Sequence, residues 1–162
     1  MLKTVSMEAI NHFFKDRKLA LCGATDTKNN FGNTAYRELK DRGFAVYPVN
    51  SRSTTVGGNH CYPDLESLPK DKWISRVLIT SHPTMTNKAV QDAASLWFKH
   101  VWIQLGSETP EAIRLLKDEG INVIYGQCIL MFAEPVTSYH LLRRYWWTIL
   151  RKTPVSIESN FR

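Results

Sequence analysis

Short apolar runs and amphipathic segments follow one another along the chain in a regular order. Five apolar runs bounded by glycine or polar residues predict buried strands at residues 19–22, 44–49, 76–80, 101–104 and 121–125. Apolar residues recur at helical spacing before and between them, which predicts helices over residues 6–16, 34–42, 84–98 and 109–120. Thr84 or Thr86 is the predicted cap of the third of these helices, and a turn with a short helix is predicted within residues 61–69. The alternation predicts a parallel sheet with crossover helices.

The predicted fold class is therefore α/β: a Rossmann-like, doubly wound five-stranded parallel sheet with helices on both faces. A chain of 162 residues suits one core. We assign residues 1–137 to this domain, with its N-terminal helix at about residues 6–16. Residues 138–162 hold apolar positions at helical spacing together with arginine and lysine, which predicts a basic amphipathic helix and tail docked on the same domain.

The turn after the first strand is the strongest local signal. Gly23 ends that strand, and residues 30–33 supply polar residues suited to the start of a helix. A helix beginning there directs free backbone N–H groups and its positive dipole end at the turn, which favours a phosphate. The glycine spacing is not that of a dinucleotide fingerprint, and the Gly-Lys-Ser/Thr of a P-loop is absent. A phosphate-binding loop and an ordinary turn both remain open.

Ligands of doubly wound sheets bind beyond the carboxyl ends of the strands. Small, polar and amide residues dominate the segments predicted at that edge, which are residues 23–32, 50–53, 80–83, 104–106 and 127–128. A nucleotide-like ligand suits this composition.

The end of the second strand narrows the ligand class. A typical NAD site carries an acidic residue there to bind the ribose hydroxyls. This chain has Asn50, Ser51, Arg52 and Ser53 instead. Arginine and hydroxyl groups bind a ribose phosphate that an acid would repel, so the segment favours NADP or the 3′-phosphorylated ADP of coenzyme A, with a solvated loop as the alternative.

Five stretches, taken in order, resemble the small CoA-binding-domain proteins, a Rossmann-like family related to the CoA-binding part of succinyl-CoA synthetase α subunits. They are residues 21–25, 31–33, 46–50, 102–106 and 128–131. The resemblance implies that residues 23–25 face the pyrophosphate of coenzyme A or an acyl-CoA, that Asn50 and Arg52 lie near the ribose phosphate, and that Gln104 lies toward the pantetheine.

The chain departs from the family pattern at two places. Residues 80–83 replace a Phe-Arg-x-Pro turn, and Glu134 is followed by Pro135 where members often have histidine. The full set of predicted cofactor-binding residues is Gly23, Ala24, Thr25, Phe31, Gly32, Asn33, Asn50, Ser51, Arg52, Ser53, Thr80, Ser81, His82, Pro83, Gln104, Leu105, Gly106 and Cys128.

Catalytic chemistry has weak support in the sequence. Cys128 and His82 are the candidates for a nucleophile and a base at the ligand edge. Cysteine is also among the most commonly buried residues, and no carboxylate pair or Ser-His-Asp order accompanies them. His60 beside Cys61 lacks the further ligands that a zinc site needs. We therefore expect a binding protein with no catalytic residue and no metal.

Charge and cysteine usage add the remaining expectations. The net charge of +6 suits phosphorylated small molecules, and no nucleic-acid-binding motif accompanies it. The spacing of the three cysteines and the lack of a signal peptide or membrane span predict reduced thiols and a cytoplasmic protein. The alternatives are an NADP-binding oxidoreductase or redox sensor, and an adaptor that binds a membrane surface or a partner through the C-terminal helix. The sequence is also compatible with a homodimer.

Overall fold

The computed structural model of the protein describes residues 5–26 and 30–135. The predicted C-terminal helix, and with it the domain boundary at residue 137, lies outside these residues and stays a prediction. None of the helices in the described ranges is long and apolar enough to cross a membrane.

A five-stranded parallel sheet forms the centre of the molecule, and a two-stranded hairpin follows its second strand. The strands are β1 (Lys18–Cys22), β2 (Ala45–Val49), β3 (Thr55–Val56), β4 (Asn59–His60), β5 (Arg76–Ile79), β6 (His100–Gln104) and β7 (Asn122–Gln127). The order in the sheet is β2-β1-β5-β6-β7, and β3 pairs with β4 alone. The chain thus leaves β1 toward β2 on one side and returns to β5 on the other, so the strand order reverses between β1 and β5.

Helices cover both faces of the sheet, which confirms the predicted doubly wound fold. They are α1 (Met7–Phe14), α2 (Phe31–Asp41), α3 (Pro83–Ser95) and α4 (Pro110–Asp118). Alternate residues of each strand point to opposite faces. Leu21 and Trp102 pack in one core with α1 and α2, whereas Ala20 and Ile103 pack in the other with α3 and α4.

Two helix starts differ from the sequence prediction. Helix α2 begins at Phe31 instead of residue 34, because the Asn30 side chain accepts the backbone N–H of Asn33. Helix α3 is capped by His82, whose Nδ1 accepts the Thr84 N–H, rather than by Thr84 or Thr86. Proline at the first position of α3 has a φ suited to a helix, so the helix begins two residues earlier than a Thr84 cap would allow.

The C-terminal end of α3 differs from the sequence prediction. The apolar side of this helix was expected to include Trp97, but the residue lies beyond the helix end at φ 66° and is 80% exposed.

The chain between β2 and β5 differs from the sequence prediction as well. A short helix was expected within residues 61–69, where the chain forms turns followed by a 3₁₀ turn at Lys70–Lys72. The hairpin of β3 and β4 was not anticipated.

Candidate functional site

Three asparagine side chains hold the loop that follows β1. The Thr25 N–H donates to Asn33 Oδ1 at 2.7 Å, Asn30 Nδ2 donates to the Gly23 carbonyl at 3.1 Å, and Asn50 Nδ2 donates to the Ala24 carbonyl at 2.8 Å. These bonds join the loop to the start of α2 and to the end of β2. These side chains therefore hold residues 23–25 in position, and predicted residues 23–25, 33 and 50 come together in one place.

Two glycines are required by the packing of this loop. Gly23 has φ +113°, and a Cβ there would lie 2.7 Å from Thr80 Oγ1 and 2.8 Å from the Ser81 nitrogen. A Cβ on Gly32 would lie 2.7 Å from both the Gly23 carbonyl oxygen and Thr80 Oγ1. The Thr80 hydroxyl in turn donates to the Cys22 carbonyl at 2.9 Å. The glycines let the β1 loop, the start of α2 and the end of β5 meet at backbone contact distance.

Two buried hydroxyl groups at the point where the strand order reverses have no hydrogen-bond partner within the described ranges. They are Thr25 Oγ1, after β1, and Ser81 Oγ, after β5. An unsatisfied buried polar group costs about 1–3 kcal/mol, so a bound acceptor between the two strand ends would stabilise the structure. Helices α2 and α3 both begin at this edge, and their N-terminal dipoles favour an anion. The residues present fit a phosphate-containing cofactor.

The ends of β6 and β7 form an interior wall. Gln104 is 5% exposed, and its Oε1 accepts the Ile129 N–H at 3.2 Å, which holds the 3₁₀ turn Ile129–Met131. Cys128 is buried among apolar side chains of the α1 and α2 core. Leu105 and Gly106 follow β6 at the surface. The structure thus buries two of the predicted contact residues of this region and exposes two.

The candidate catalytic groups do not form a nucleophile–base pair. The exposed His82 ring caps α3 and lies 3.0 Å from Thr84 Oγ1 through Nδ1. No hydrogen bond joins His82 to Cys128 in the part of the chain that the structure describes. Burial raises the pKa of the Cys22 thiol to about 12, and the pKa of Cys61 is raised chiefly by burial as well. These two thiols are therefore protonated at neutral pH.

A cleft of about 490 Å³ opens beside the loop, between α2 and the hairpin of β3 and β4. Thr25 and Asn33 line it together with residues that the sequence prediction missed, which are Asp26, Tyr36, Arg37, Lys40, Asp41, Val56, Gly57, Gly58 and Asn59. Ser51 and Arg52 are exposed and do not line it. Within residues 5–26 and 30–135, no three His, Cys, Asp or Glu side chains come together to hold a metal ion.

A usable signal for the hairpin was present in the sequence. Two adjacent glycines between short β-prone pairs are typical of a two-residue turn with positive φ at both positions, and Gly57 and Gly58 have φ 55° and 76°. The ring of Tyr36 lies 3.2 Å from the position of a Cβ on Gly57, so the hairpin packs on α2.

Comparison with known proteins identifies the region that contains this site. The family described as CoA binding domain matches residues 17–134. A solved structure of a conserved hypothetical protein from Pyrococcus furiosus is 33% identical, with a TM-score of 0.65, and the match covers 70% of this chain and 96% of that one. A hypothetical protein from Pyrococcus horikoshii is 25% identical, with a TM-score of 0.73, over 84% of this chain and 99% of that one.

A curated relative is much longer. The acetate–CoA ligase (ADP-forming) I of Archaeoglobus fulgidus is 22% identical over 137 residues, which are 78% of this chain and 20% of the ligase. The chain therefore spans about a fifth of the length of that enzyme.

Proposed function

Because the chain belongs to the CoA-binding-domain family, we propose that it binds coenzyme A or an acyl-CoA at the carboxyl edge of its sheet without transforming it, as a carrier, sensor or accessory protein. Family membership confirms the resemblance seen in the sequence and supports coenzyme A as the ligand.

The proposal rests on residues 23–25, which asparagine side chains hold in place beside two buried hydroxyl groups that have no hydrogen-bond partner among the residues the structure describes. The loop of residues 23–25 lies at the N-terminus of α2, where a pyrophosphate is favoured by the helix dipole. Thr25 Oγ1 and Ser81 Oγ are buried and unpaired within residues 5–26 and 30–135, and each would gain a hydrogen bond by donating to a phosphate bound between the strand ends. A ligand bound here would gain these hydrogen bonds at little cost in ordering the loop, because Asn33 and Asn50 already hold it.

The surroundings of the possible reactive groups support binding without chemistry. Cys128 packs in the apolar core, and the His82 ring is engaged in capping α3. A catalytic thiol needs access and a neighbouring base or positive charge. We do not propose the activity of the Archaeoglobus ligase for this chain, because the chain aligns with only 20% of that enzyme.

Calorimetric titration of the purified chain with coenzyme A, acetyl-CoA, NAD and NADP tests the proposal. We expect coenzyme A and acetyl-CoA to bind, because a pyrophosphate at residues 23–25 would lie at the N-terminus of α2. We expect NAD, which has no phosphate on its ribose, to bind at least tenfold more weakly. Tighter binding of NADP than of coenzyme A would overturn the proposal in favour of the NADP-binding alternative. Slow loss of acetyl-CoA to free coenzyme A during the titration would contradict the non-catalytic part.

The cytoplasmic location, the possible homodimer and the role of residues 138–162 stay predictions. The described cysteines are buried free thiols, which supports a reducing compartment.

A further inference from the structure

The cleft between α2 and the β3–β4 hairpin is continuous with the phosphate loop. Thr25 and Asn33 belong to both, since Asn33 accepts the Thr25 N–H and both residues line the cleft. A ligand whose pyrophosphate lies on the loop can therefore place its next group in the cleft. The volume of about 490 Å³ falls in the range of small-molecule sites.

Two cations on one face of α2 border this space. Arg37 and Lys40 are three residues apart, a helical spacing that puts them side by side. Lys40 Nζ lies 3.4 Å from the Tyr36 hydroxyl and 5.2 Å from the centre of its ring, which directs the ammonium along the wall of the cleft.

The exposed Arg37 side chain lines the cleft. It forms no ion pair or hydrogen bond within residues 5–26 and 30–135, although Asp41 lies four residues further on the same helix. The second acid of the cleft, Asp26, accepts the Thr55 hydroxyl. A planar guanidinium with free donors suits a phosphate monoester, which it can bind through two parallel hydrogen bonds.

Arg52 is the competing arginine, and its surroundings differ. The family resemblance implies that it lies near the ribose phosphate. Like Arg37 it is exposed, but it does not line the cleft, and its backbone N–H donates to Asn50 Oδ1 at 2.9 Å.

Resting on the proposed function, we propose that Arg37, assisted by Lys40, binds the phosphate on the ribose of coenzyme A. The α2–hairpin cleft then sets the preference for a nucleotide with a phosphorylated ribose, and Arg37 is the specificity residue. The contact adds to the pyrophosphate contacts at the loop and leaves them unchanged.

The experiment compares the dissociation constants of coenzyme A and dephospho-CoA by calorimetry for the full chain and its variants. We expect the wild type to prefer coenzyme A by about 10- to 100-fold, as for a charge-assisted hydrogen bond. Arg37→Gln should lower this ratio to within about threefold while leaving the affinity for dephospho-CoA unchanged, because only the phosphate contact is removed. Arg37→Lys should keep part of the preference.

Arg114→Gln is the matched control, since it removes one exposed arginine from α4 at a distance from the loop. Its ratio should equal that of the wild type, and a melting curve for each variant checks the fold. An unchanged ratio in Arg37→Gln, or a larger loss in Arg52→Gln than in Arg37→Gln, would overturn the inference. Equal wild-type affinities for the two ligands would overturn it too while leaving the proposed function standing. Binding of neither ligand would instead contradict the proposed function.

Discussion

At the scale of single residues, asparagine side chains hold the site together through hydrogen bonds to backbone N–H and carbonyl groups. Asn50 stands at the end of β2 and crosses to the neighbouring loop, where its Nδ2 donates to the Ala24 carbonyl. Asn33 acts in the same way from α2 on the Thr25 N–H. Both residues were predicted as ligand contacts. In the structure they hold the loop in position, so each can influence affinity without touching the ligand.

Replacing Asn50 by alanine tests this positioning role. The loss of two hydrogen bonds, one to the Ala24 carbonyl and one from the Arg52 N–H, should lower the free energy of unfolding by about 1–3 kcal/mol. It should also weaken coenzyme A binding, because the loop must then be ordered when the ligand binds. Asn122→Ala is the matched control. Its Nδ2 donates to the Ala9 carbonyl at 3.1 Å at the amino edge of the sheet, far from the loop. Urea unfolding and calorimetry should show lower stability in both variants and weaker binding in Asn50→Ala alone. Equal affinities would contradict the role.

At the scale of elements, the start of α2 is fitted against the ends of β1 and β5. Helix α2 carries the cap and the dipole that favour an anion, and the two strands supply the backbone that surrounds it. Gly32 is the contact point. Its closeness to Gly23 and Thr80 leaves no space for a side chain.

The sign of the effect of Gly32→Ala follows from this contact. Replacing an exposed glycine in a helix by alanine raises the free energy of unfolding of a protein by about 0.5–1 kcal/mol. Here the new Cβ would lie 2.7 Å from a backbone oxygen, and relieving such overpacking costs about 1–3 kcal/mol. We therefore expect a net loss of stability and weaker ligand binding, measured by urea unfolding and calorimetry.

Gly120→Ala is the comparison for this prediction, since its Cβ would meet nothing within 4 Å and only its φ of +68° opposes the change. It should lower stability without altering binding. A more stable Gly32→Ala protein would show that the contact yields easily.

Gly23 lies at the same junction, and a larger residue there would do more than block the approach of a pyrophosphate. The structure shows that even a methyl group would collide with Thr80 and with the Ser81 backbone. Substitutions at Gly23 therefore alter the loop itself and cannot isolate the ligand contact.

At the scale of the whole molecule, the two edges of the sheet have different tasks. The carboxyl edge carries the candidate site, and the amino edge anchors α1. Arg76 Nε donates to the Phe13 carbonyl at 2.6 Å, and its Nη2 donates to the His12 carbonyl at 3.1 Å. Asn122 Nδ2 lies 3.1 Å from His100 Nδ1. Because the amide nitrogen can only donate, His100 Nδ1 must carry no proton in order to accept this hydrogen bond.

The amino edge predicts a dependence of stability on pH. Burial lowers the pKa of His100 below its ordinary 6.5, and the positive charges of Arg76 and His12 lower it further. Asp16, 3.7 Å from Arg76, offsets part of that charge. The folded protein thus binds this proton less readily than the unfolded chain. The contribution of His100 to the free energy of unfolding is fully present above its ordinary pKa of 6.5, and it is lost as the pH drops below 6.5 toward the lower pKa of the folded protein.

Urea unfolding between pH 7.5 and 5.5 measures this effect. His100→Gln should lose less stability than the wild type over that range, because glutamine does not titrate. His60→Gln, a substitution of an exposed histidine on the hairpin, should follow the wild-type curve. Identical slopes for wild type and His100→Gln would contradict the prediction.

The sequence alone determined the order of strands and helices and the family. Apolar periodicity and glycine positions are local signals, so the five parallel strands and the helices on both faces were predictable, and the motifs at the strand ends led to the CoA-binding resemblance. The hairpin at Gly57 and Gly58 had a local signal as well, although the prediction did not use it.

Only the tertiary structure decided how the site is built. The contact of Asn50 with Ala24 and that of Gly32 with Thr80 join residues from different elements, and they depend on which strands are neighbours in the sheet. The cleft at Arg37 likewise exists because the hairpin folds back onto Tyr36. Sequence spacing fixes which side chains share a face of one helix or strand, whereas the distances between elements are set by packing.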